Sequence, residues 1–467
     1  MIKNILCLFD YGPQVFTGFA TVSRNLVQVL KNHFGDSLHL HIVAVNYHGD
    51  AFTEYNDTVK VESGKALQKP DKAAVTFTGT DNYGLLHFLE LLKNGNYDGI
   101  FYIGNLGSFA PILPWLKTIE AEFKNINTIQ KKNNVKKLFR SVIYFPVEGQ
   151  LHPRVKNDEY NKNQLNTVPK TYRHFFHPDI CQADTLDFFN ASVVYTQYGY
   201  NEIIRLKPSL KSHIDIIYHG INTADFYPID PKTREKFRKQ YFGNNAGKFI
   251  IGSINKNQPR KDIPTTIFSF IQAKKTWPKH LPPPFLYLHM NPMQPMGHRL
   301  RDLLSLTDLI EGKDYMFPQT DNTNYQVDTE TLNLIYNNID IYVSTSRGGG
   351  WELTVTEAMA CNTICILPKH TSMAEIGDFD RAFFVDEFLL VSDTTDNKIG
   401  YMSHPDAVAE KIVEVATMFS DNPAGIYTKI QNAYNWVTGL TWDGHQIGDK
   451  WIDIFNEIYF YNKFEHE

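Results

Sequence analysis

Short apolar runs alternate with amphipathic stretches along nearly the whole chain. The first run, "KNILCLFD" (3–10), is apolar up to a terminal acid and predicts a buried strand. The next segment, "GFATVSRNLVQVLKNHF" (18–34), carries Val22, Leu26, Val29 and Leu30 on one helical face. The alternation then repeats. "LHLHIVAV", "YDGIFYIG", "LFRSVIYFPVEG" and "ASVVYTQ" read as strands, and "YGLLHFLELLKN" and "CQADTLDFFN" read as helices. Apolar strands separated by helices predict an α/β fold whose parallel sheet is covered on both faces.

A second series follows "IDIIYHGINTADFYPID" (214–230). Strands are expected at "KFIIGSIN", "PPFLYLHMNP", "DIYVSTS" and "TICILP". Helices are expected at "IPTTIFSFIQAKK", "TLNLIYNNI", "TVTEAMAC" and "HPDAVAEKIVEVATMF". Two such series predict two Rossmann-like domains, residues 1–218 and 219–448, facing each other across a cleft. The last segment, "DKWIDIFNEIYFYNKF" (449–464), reads as a helix with a broad apolar face, and residues 449–467 are assigned to the first domain. Open α/β sheets bind ligands at the carboxyl ends of their strands. The informative loops are therefore those leaving strands.

Length and composition narrow this picture. A chain of 467 residues exceeds one ordinary core. Its 25 Tyr and 32 Phe exclude a disordered chain. The net charge of −5 is uneven: residues 1–220 hold 23 Lys/Arg against 20 Asp/Glu, and residues 221–467 hold 23 against 31. Residues 117–175 alone carry 12 basic and 5 acidic side chains, either a solvated surface or one facing an anionic partner such as DNA. Cys7, Cys181, Cys361 and Cys365 form no CxxC pair and no zinc spacing, which suits a reducing compartment. No run reaches the roughly 18 apolar residues of a membrane span, and the start is too short in apolar residues for a signal peptide. A cytoplasmic protein is expected.

Three loops carry candidate chemistry. In "DYGPQVFTGFATV" (10–22) a strand ends at Asp10 and a helix opens at Gly18, leaving a helix N-terminus suited to an anion or simply a turn. In "GSINKNQPRKDIPTT" (252–266) Lys256, Arg260 and Lys261 precede a helix start. Cations there oppose the helix dipole unless an anion such as a diphosphate is bound between them. The alternative is an exposed basic turn. In "STSRGGGWELTVTEAMAC" (344–361), Gly348, Gly349 and Gly350 let backbone approach a ligand, and Trp351 would wall the pocket. Thr354 and Glu357 have capping-box spacing, so Glu357 has a structural reading too. Glu148 and His152, in "YFPVEGQLHP", are candidate general bases or satisfied loop residues. The triplet "DFD" (378–380) does not leave a strand, and no metal is expected.

The stretch "IYNNIDIYVSTSRGGGWELTVTEAMACNTICILP" resembles the signature of GT-B glycosyltransferases of the retaining, glycogen-synthase-like group. "IIYHGINTADFYP" resembles that group's hinge, and "IIGSINKNQPRKDIPTTIFSFIQA" its donor-phosphate segment. "TSMAEI", with Glu375, resembles a further short motif, and "DFFNASVVYTQYGYNEI" the last unit of the acceptor domain. The resemblance runs in order over most of residues 215–377 and more loosely before it. It implies a GT-B fold and sugar transfer, with retention, from a nucleotide diphosphate sugar such as a UDP- or GDP-sugar. No other cofactor is implied. It also implies donor contacts from Gly18, Asn255, Arg260, Lys261, Gly348, Gly349, Gly350, Trp351, Glu352, Leu353 and Glu357, the last on the ribose. Arg260 and Lys261 would steady the leaving diphosphate, with Glu148 the remaining catalytic candidate. The sequence departs from the pattern at one place: the group's first glutamate, eight residues before Glu357, is Gly349. Glu352 is close but is expected to project differently. His219 and Asn222 also replace the hinge's usual Asn and Asp. The acceptor is expected to be a saccharide or another hydroxyl compound. The alternatives are transfer to a modified base of DNA and a non-catalytic sugar-nucleotide binder.

Overall fold

The computed structural model describes residues 2–13, 15, 17–47, 49–63, 84–109, 112–129, 139–151, 182–318, 325, 327–393 and 398–461. Two sheets organise them. The first contains β1 (Lys3–Asp10), β2 (Leu38–Val45), β3 (Phe52–Glu54), β4 (Val59–Ser63), β5 (Gly99–Ile103), β6 (Arg140–Phe145), β7 (Ala191–Val194) and β8 (Ile214–Ile216). Their order is β3-β4-β2-β1-β5-β6-β7-β8. All pairs are parallel except the edge pair β3 and β4. The second sheet contains β9 (Phe249–Ile254), β10 (Pro284–His289), β11 (Tyr315–Met316), β12 (Ile341–Val343), β13 (Ile364–Pro368) and β14 (Phe383–Val385), in the order β11-β10-β9-β12-β13-β14, parallel throughout. A separate hairpin pairs β15 (Phe388–Asp393) with β16 (Lys398–Ser403).

Every residue of β9 and β10 is buried, as expected of strands covered on both faces. The strand order places a switch in each sheet. β1 lies between β2 and β5, and β9 lies between β10 and β12, so chain direction diverges on either side of both strands. A crevice opens at such points, outside the carboxyl ends of the strands.

The last segment lies on the first sheet. Trp451 is fully buried, 4.8 Å from the Tyr144 ring and 5.7 Å from that of Phe101. Tyr459 donates to the Ile100 carbonyl at 2.6 Å. Gly99 makes this possible, because a Cβ there would lie 2.2 Å from the Tyr459 ring. The segment is not the single α-helix expected from its pattern. An α-helical Lys450–Phe455 is flanked by π-helical turns at His445–Asp449 and Asn456–Phe460. Trp451, Phe455 and Tyr459 are spaced by four residues, which drifts around a regular α-helix, and a widened turn corrects the drift. The segment "CQADTLDFFN" is likewise a 3-10 helix, Gln182–Phe188, and not an α-helix.

Candidate active site

A cavity of about 530 Å³ opens where the two switch points meet. The loops leaving β1 and β5 wall one side, and those leaving β9 and β12 wall the other.

On the second-sheet side, the chain after β9 makes a tight turn at Pro259–Lys261. Asp262 then adopts a left-handed φ of 48° and opens the helix Ile263–Lys275. Asp262 is itself fixed, accepting from Thr265 Oγ1 at 2.9 Å and pairing with Arg347 at 3.0 Å. Neither cation of this turn stands alone. Lys261 is buried and donates to the Glu352 carboxylate. Arg260 lies 3.5 Å from Glu148 and 3.6 Å from the other oxygen of Glu352. Burial pushes the Lys261 ammonium down to about 8, against the pull of Glu352. Two carboxylates thus occupy both cations.

Glu352 corrects one expectation. A Cβ placed on Gly349 would lie 2.3 Å from Glu352 Oε1. The Glu352 carboxylate folds back into the space that a side chain at position 349 would enter, and does not project away from it.

The capping box is also corrected. The helix begins at Leu353, with Glu352 before it and no side-chain cap. Thr354 therefore sits inside the first turn and bonds the Tyr342 hydroxyl at 2.7 Å. Glu357 accepts from the Tyr336 hydroxyl at 2.7 Å, and burial raises its carboxyl to about 7.

Trp351 is buried, stacked on Tyr218 at 5.2 Å and edge-on to His219 at 5.9 Å. Tyr144 fixes the His219 ring. Its hydroxyl donates to the Ile217 carbonyl at 2.9 Å and lies 2.7 Å from His219 Nδ1. Burial lowers the His219 pKa to about 3, which keeps the ring neutral.

The first-sheet side has different chemistry. Asp10, at the end of β1, is buried and accepts from Thr17 Oγ1 and, at 3.0 Å, from Asn46 Nδ2. Thr17 also caps the helix Gly18–Phe34 through the Ala20 amide at 3.0 Å. Tyr102, Asn105 and Tyr195 complete this side.

Of the expected site residues, Gly18, Glu148, Asn255 and Arg260 line the cavity, as do Lys261, Trp351, Glu352 and Leu353. Gly348, Gly349, Gly350 and Glu357 lie off its wall. The glycines instead meet protein. A Cβ on Gly348 would lie 2.0 Å from the Glu148 carbonyl oxygen, and one on Gly350 would lie 2.3 Å from Pro146 Cβ. This loop lies directly on the opposite domain's backbone. Two further contacts join the halves. Gln150 and Ile399 exchange backbone hydrogen bonds of 3.0 and 3.2 Å. Glu375 accepts the Gln197 and Tyr198 amides at 3.1 and 3.2 Å.

Sequence reasoning passed over Asp10, Asn46, Asn105 and Tyr195 as site residues. The first three share one signal, a polar residue directly ending or following an apolar strand run. His152, Cys181 and most of the basic stretch behind the DNA alternative lie outside the described residues. Among the described residues, no group of His, Cys, Asp and Glu could hold a metal, and Asp380 of the "DFD" triplet pairs with Lys429. Cys7, Cys361 and Cys365 are buried free thiols. No helix among the described residues is long and apolar enough to cross a membrane.

No family model matches the chain. A probable sucrose-phosphate synthase of Thermosipho melanesiensis is 28% identical over 182 residues, 39% of this chain and 38% of that protein, so the match spans well under half of the relative's length. Among solved structures, the sucrose-phosphate synthase of Thermosynechococcus elongatus superposes with a TM-score of 0.63 at 16% identity, over 98% of this chain and 99% of that one. A glycosyltransferase of Rickettsia africae gives 0.59 at 14% identity, over 98% of each chain. Anabaena HepE in complex with UDP-glucose gives 0.56 at 13%, over 97% and 99%. The fold is that of the GT-B glycosyltransferases over nearly the whole chain.

Proposed function

We propose that the protein transfers a sugar from a nucleotide diphosphate sugar, with UDP as the first nucleotide to test, to a hydroxyl acceptor, with retention of configuration. One observation carries this reading. Arg260 and Lys261 meet at a helix start inside a cavity between two Rossmann-like sheets, each already holding a carboxylate. A departing diphosphate gathers negative charge, and preorganised cations in a water-poor cleft stabilise it. Glu148 and Glu352 hold the two side chains in position while the site is empty. Neutral His219 presents an uncharged ring, and Trp351 supplies an apolar wall for the sugar. The Glu352 carboxylate, reaching the space at Gly349, supports turnover over mere binding. In this reading the division into domains falls at 218/219, residues 449–467 belong to the first domain, and the protein works in the cytoplasm without a metal. Glu357 reaches the ribose only after a local shift, because it lies off the cavity wall.

The test is release of nucleoside diphosphate from UDP-glucose and from GDP-sugars, with calorimetry of UDP and GDP. Binding of UDP with loss of about tenfold or more in Arg260→Ala is expected, since a charge-assisted hydrogen bond contributes roughly 1.5–3 kcal/mol. Absence of binding to either nucleotide would sink the reading.

A further inference from the structure

The hairpin of β15 and β16 belongs to neither large sheet. It is seated on the second-sheet half of the molecule. The Tyr401 ring stacks on buried His370 at 4.8 Å, Phe388 stands edge-on to both, and the His404 amide donates to the Glu387 carbonyl at 3.0 Å.

Residues two apart on a strand turn their amides to the same edge. On β16, Ile399 and Tyr401 turn theirs to the edge away from β15, which is open to any backbone that can pair with it. That edge is divided between the two halves. Ile399 exchanges hydrogen bonds of 3.0 and 3.2 Å with Gln150 of the first-sheet half, and the Tyr401 amide donates to the Arg347 carbonyl of the second at 2.8 Å. Gly400 lets the strand lie close, because a Cβ there would be 3.1 Å from the Arg347 carbonyl oxygen.

Arg347 passes the contact on. Its amide donates to the Arg260 carbonyl at 2.7 Å, and its guanidinium pairs with Asp262 at 3.0 Å. On the opposite side, Glu148 lies two residues before Gln150 and 3.5 Å from the Arg260 guanidinium. The links close into a ring: Arg260, Arg347, Tyr401, Ile399, Gln150, Glu148 and back to Arg260. Two of them cross between the halves. The Glu148–Arg260 pair uses a side chain that an anionic ligand would claim. The Ile399–Gln150 bridge is backbone alone, so no ligand competes for it.

We propose that the hairpin is a strap that keeps the cleft closed while Arg260 exchanges Glu148 for an anionic ligand, and that Arg347 is the positioning residue through which the strap holds the turn Pro259–Lys261. Taking that anion to be a diphosphate rests on the transferase reading, whereas the mechanical link stands without it.

The test cuts the bridge from both sides in the full chain. Ile399→Pro and Gln150→Pro each remove one bridging N–H, and the Ile399 amide points away from β15, so the hairpin ladder is untouched. Ile399→Ala removes the side chain and keeps the bond. Hydrogen exchange is read by mass spectrometry over residues 255–262 and 344–349, with small-angle scattering of the ligand-free protein and calorimetry of UDP. Both proline variants should enlarge the radius of gyration, speed exchange in the two segments and weaken UDP about tenfold, as when the closed form falls to about one tenth of the molecules. Ile399→Ala should match wild type in all three. Arg347→Met, which keeps every backbone bond, should speed exchange over 255–262 and weaken UDP without enlarging the molecule, and Arg347→Lys should recover part of both. Residues that exchange both bonds have Cα atoms about 5.5 Å apart, within disulfide reach, so Gln150→Cys/Ile399→Cys can lock the strap. Its oxidised form should exchange more slowly over 255–262 than its reduced form, a comparison that holds even if a proline variant fails to fold. Wild-type exchange over 255–262 in both proline variants, an oxidised cross-link that leaves that exchange unchanged, or wild-type UDP affinity in an opened variant would each overturn the proposal. Exchange that follows the bridge in a protein that binds no UDP would remove the donor reading and leave the strap standing.

Discussion

The loop after β9 meets the cavity with Lys256, Arg260 and Lys261, while the loops after β1 and β2 meet it with Asp10, Thr17 and Asn46. On the cationic side, two of the three cations are paired within the protein: Lys261 with Glu352, and Arg260 with both Glu352 and Glu148. On the other side, the Asp10 carboxylate accepts from two neutral donors, and the Tyr195 hydroxyl has no hydrogen-bond partner among the described residues. The two sides therefore respond differently to loss of a side chain. Removing a member of a buried ion pair strands its partner, which is strongly destabilising. Removing a neutral hydrogen-bonding group mainly changes which ligand fits.

The sharpest way to break this comparison is Lys261→Met. It leaves Glu352 buried without its ammonium partner and should lower stability by about 3–5 kcal/mol. The double variant Lys261→Met/Glu352→Gln should recover much of that in urea unfolding but no UDP affinity. Equal stability in single and double variants would mean the pair is not coupled.

Gly348→Ala tests whether the cationic wall depends on closure. Its new Cβ would press on the Glu148 carbonyl, and overpacking of this kind costs about 1–3 kcal/mol. Small-angle scattering should show a larger radius of gyration, and UDP should bind about tenfold more weakly. An unchanged scattering profile would count against the packing described for the loop.

A smaller effect comes from pH. The Lys261 proton leaves at about 8 in the empty site. A bound diphosphate would hold that proton more tightly. UDP affinity should thus stay level from pH 6 to 7.5 and then fall as pH rises, by at most tenfold per unit. Lys261→Arg, with a guanidinium that stays charged, should flatten the profile. Glu357, off the cavity wall, gives the smallest effect. Glu357 has a carboxyl raised to about 7, so its fold contribution is fully present below the unfolded pKa near 4.5 and is lost as pH rises through 7. Glu357→Gln should raise the melting temperature at pH 8, with no difference at pH 4. A gain of equal size at both values would contradict the buried-carboxyl account.

The same contrast governed what the sequence revealed. Lys and Arg before a helix start and a run of Gly before another stand out in the sequence, so Arg260, Lys261, Trp351 and Glu352 are all legible there. Strands and helices with strong periodicity were read closely: β1, β2 and the helices Gly18–Phe34 and Ile263–Lys275 fall on their expected residues. The helix Pro231–Phe242 was not noticed, because it buries only Phe242 and has almost no apolar face to read. Asp10, Asn46 and Asn105 stay invisible until strand order is known, since only the adjacency of β1 to both β2 and β5 brings their loops together. The purpose of Gly348 and Gly350 was legible as close approach but not as approach to what. Sequence suggested a ligand, and the structure puts the backbone of Pro146–Glu148 there.

The seating of Trp451 and Tyr459 on β5 and β6 sets a timetable for synthesis. Tyr459 pairs with Ile100, 359 residues earlier in the chain. At about 5–20 residues per second, β5 leaves the ribosome roughly 20–70 s before Tyr459 does. Throughout that interval the groove beside Gly99, Phe101 and Tyr144 is an open apolar surface on a nascent protein. The first sheet cannot finish as a self-contained unit, however early its strands pair. It must wait, folded in outline, for the second domain to be made in full, and a chaperone that binds exposed aromatic surface would find its site here and lose it when Trp451 arrives.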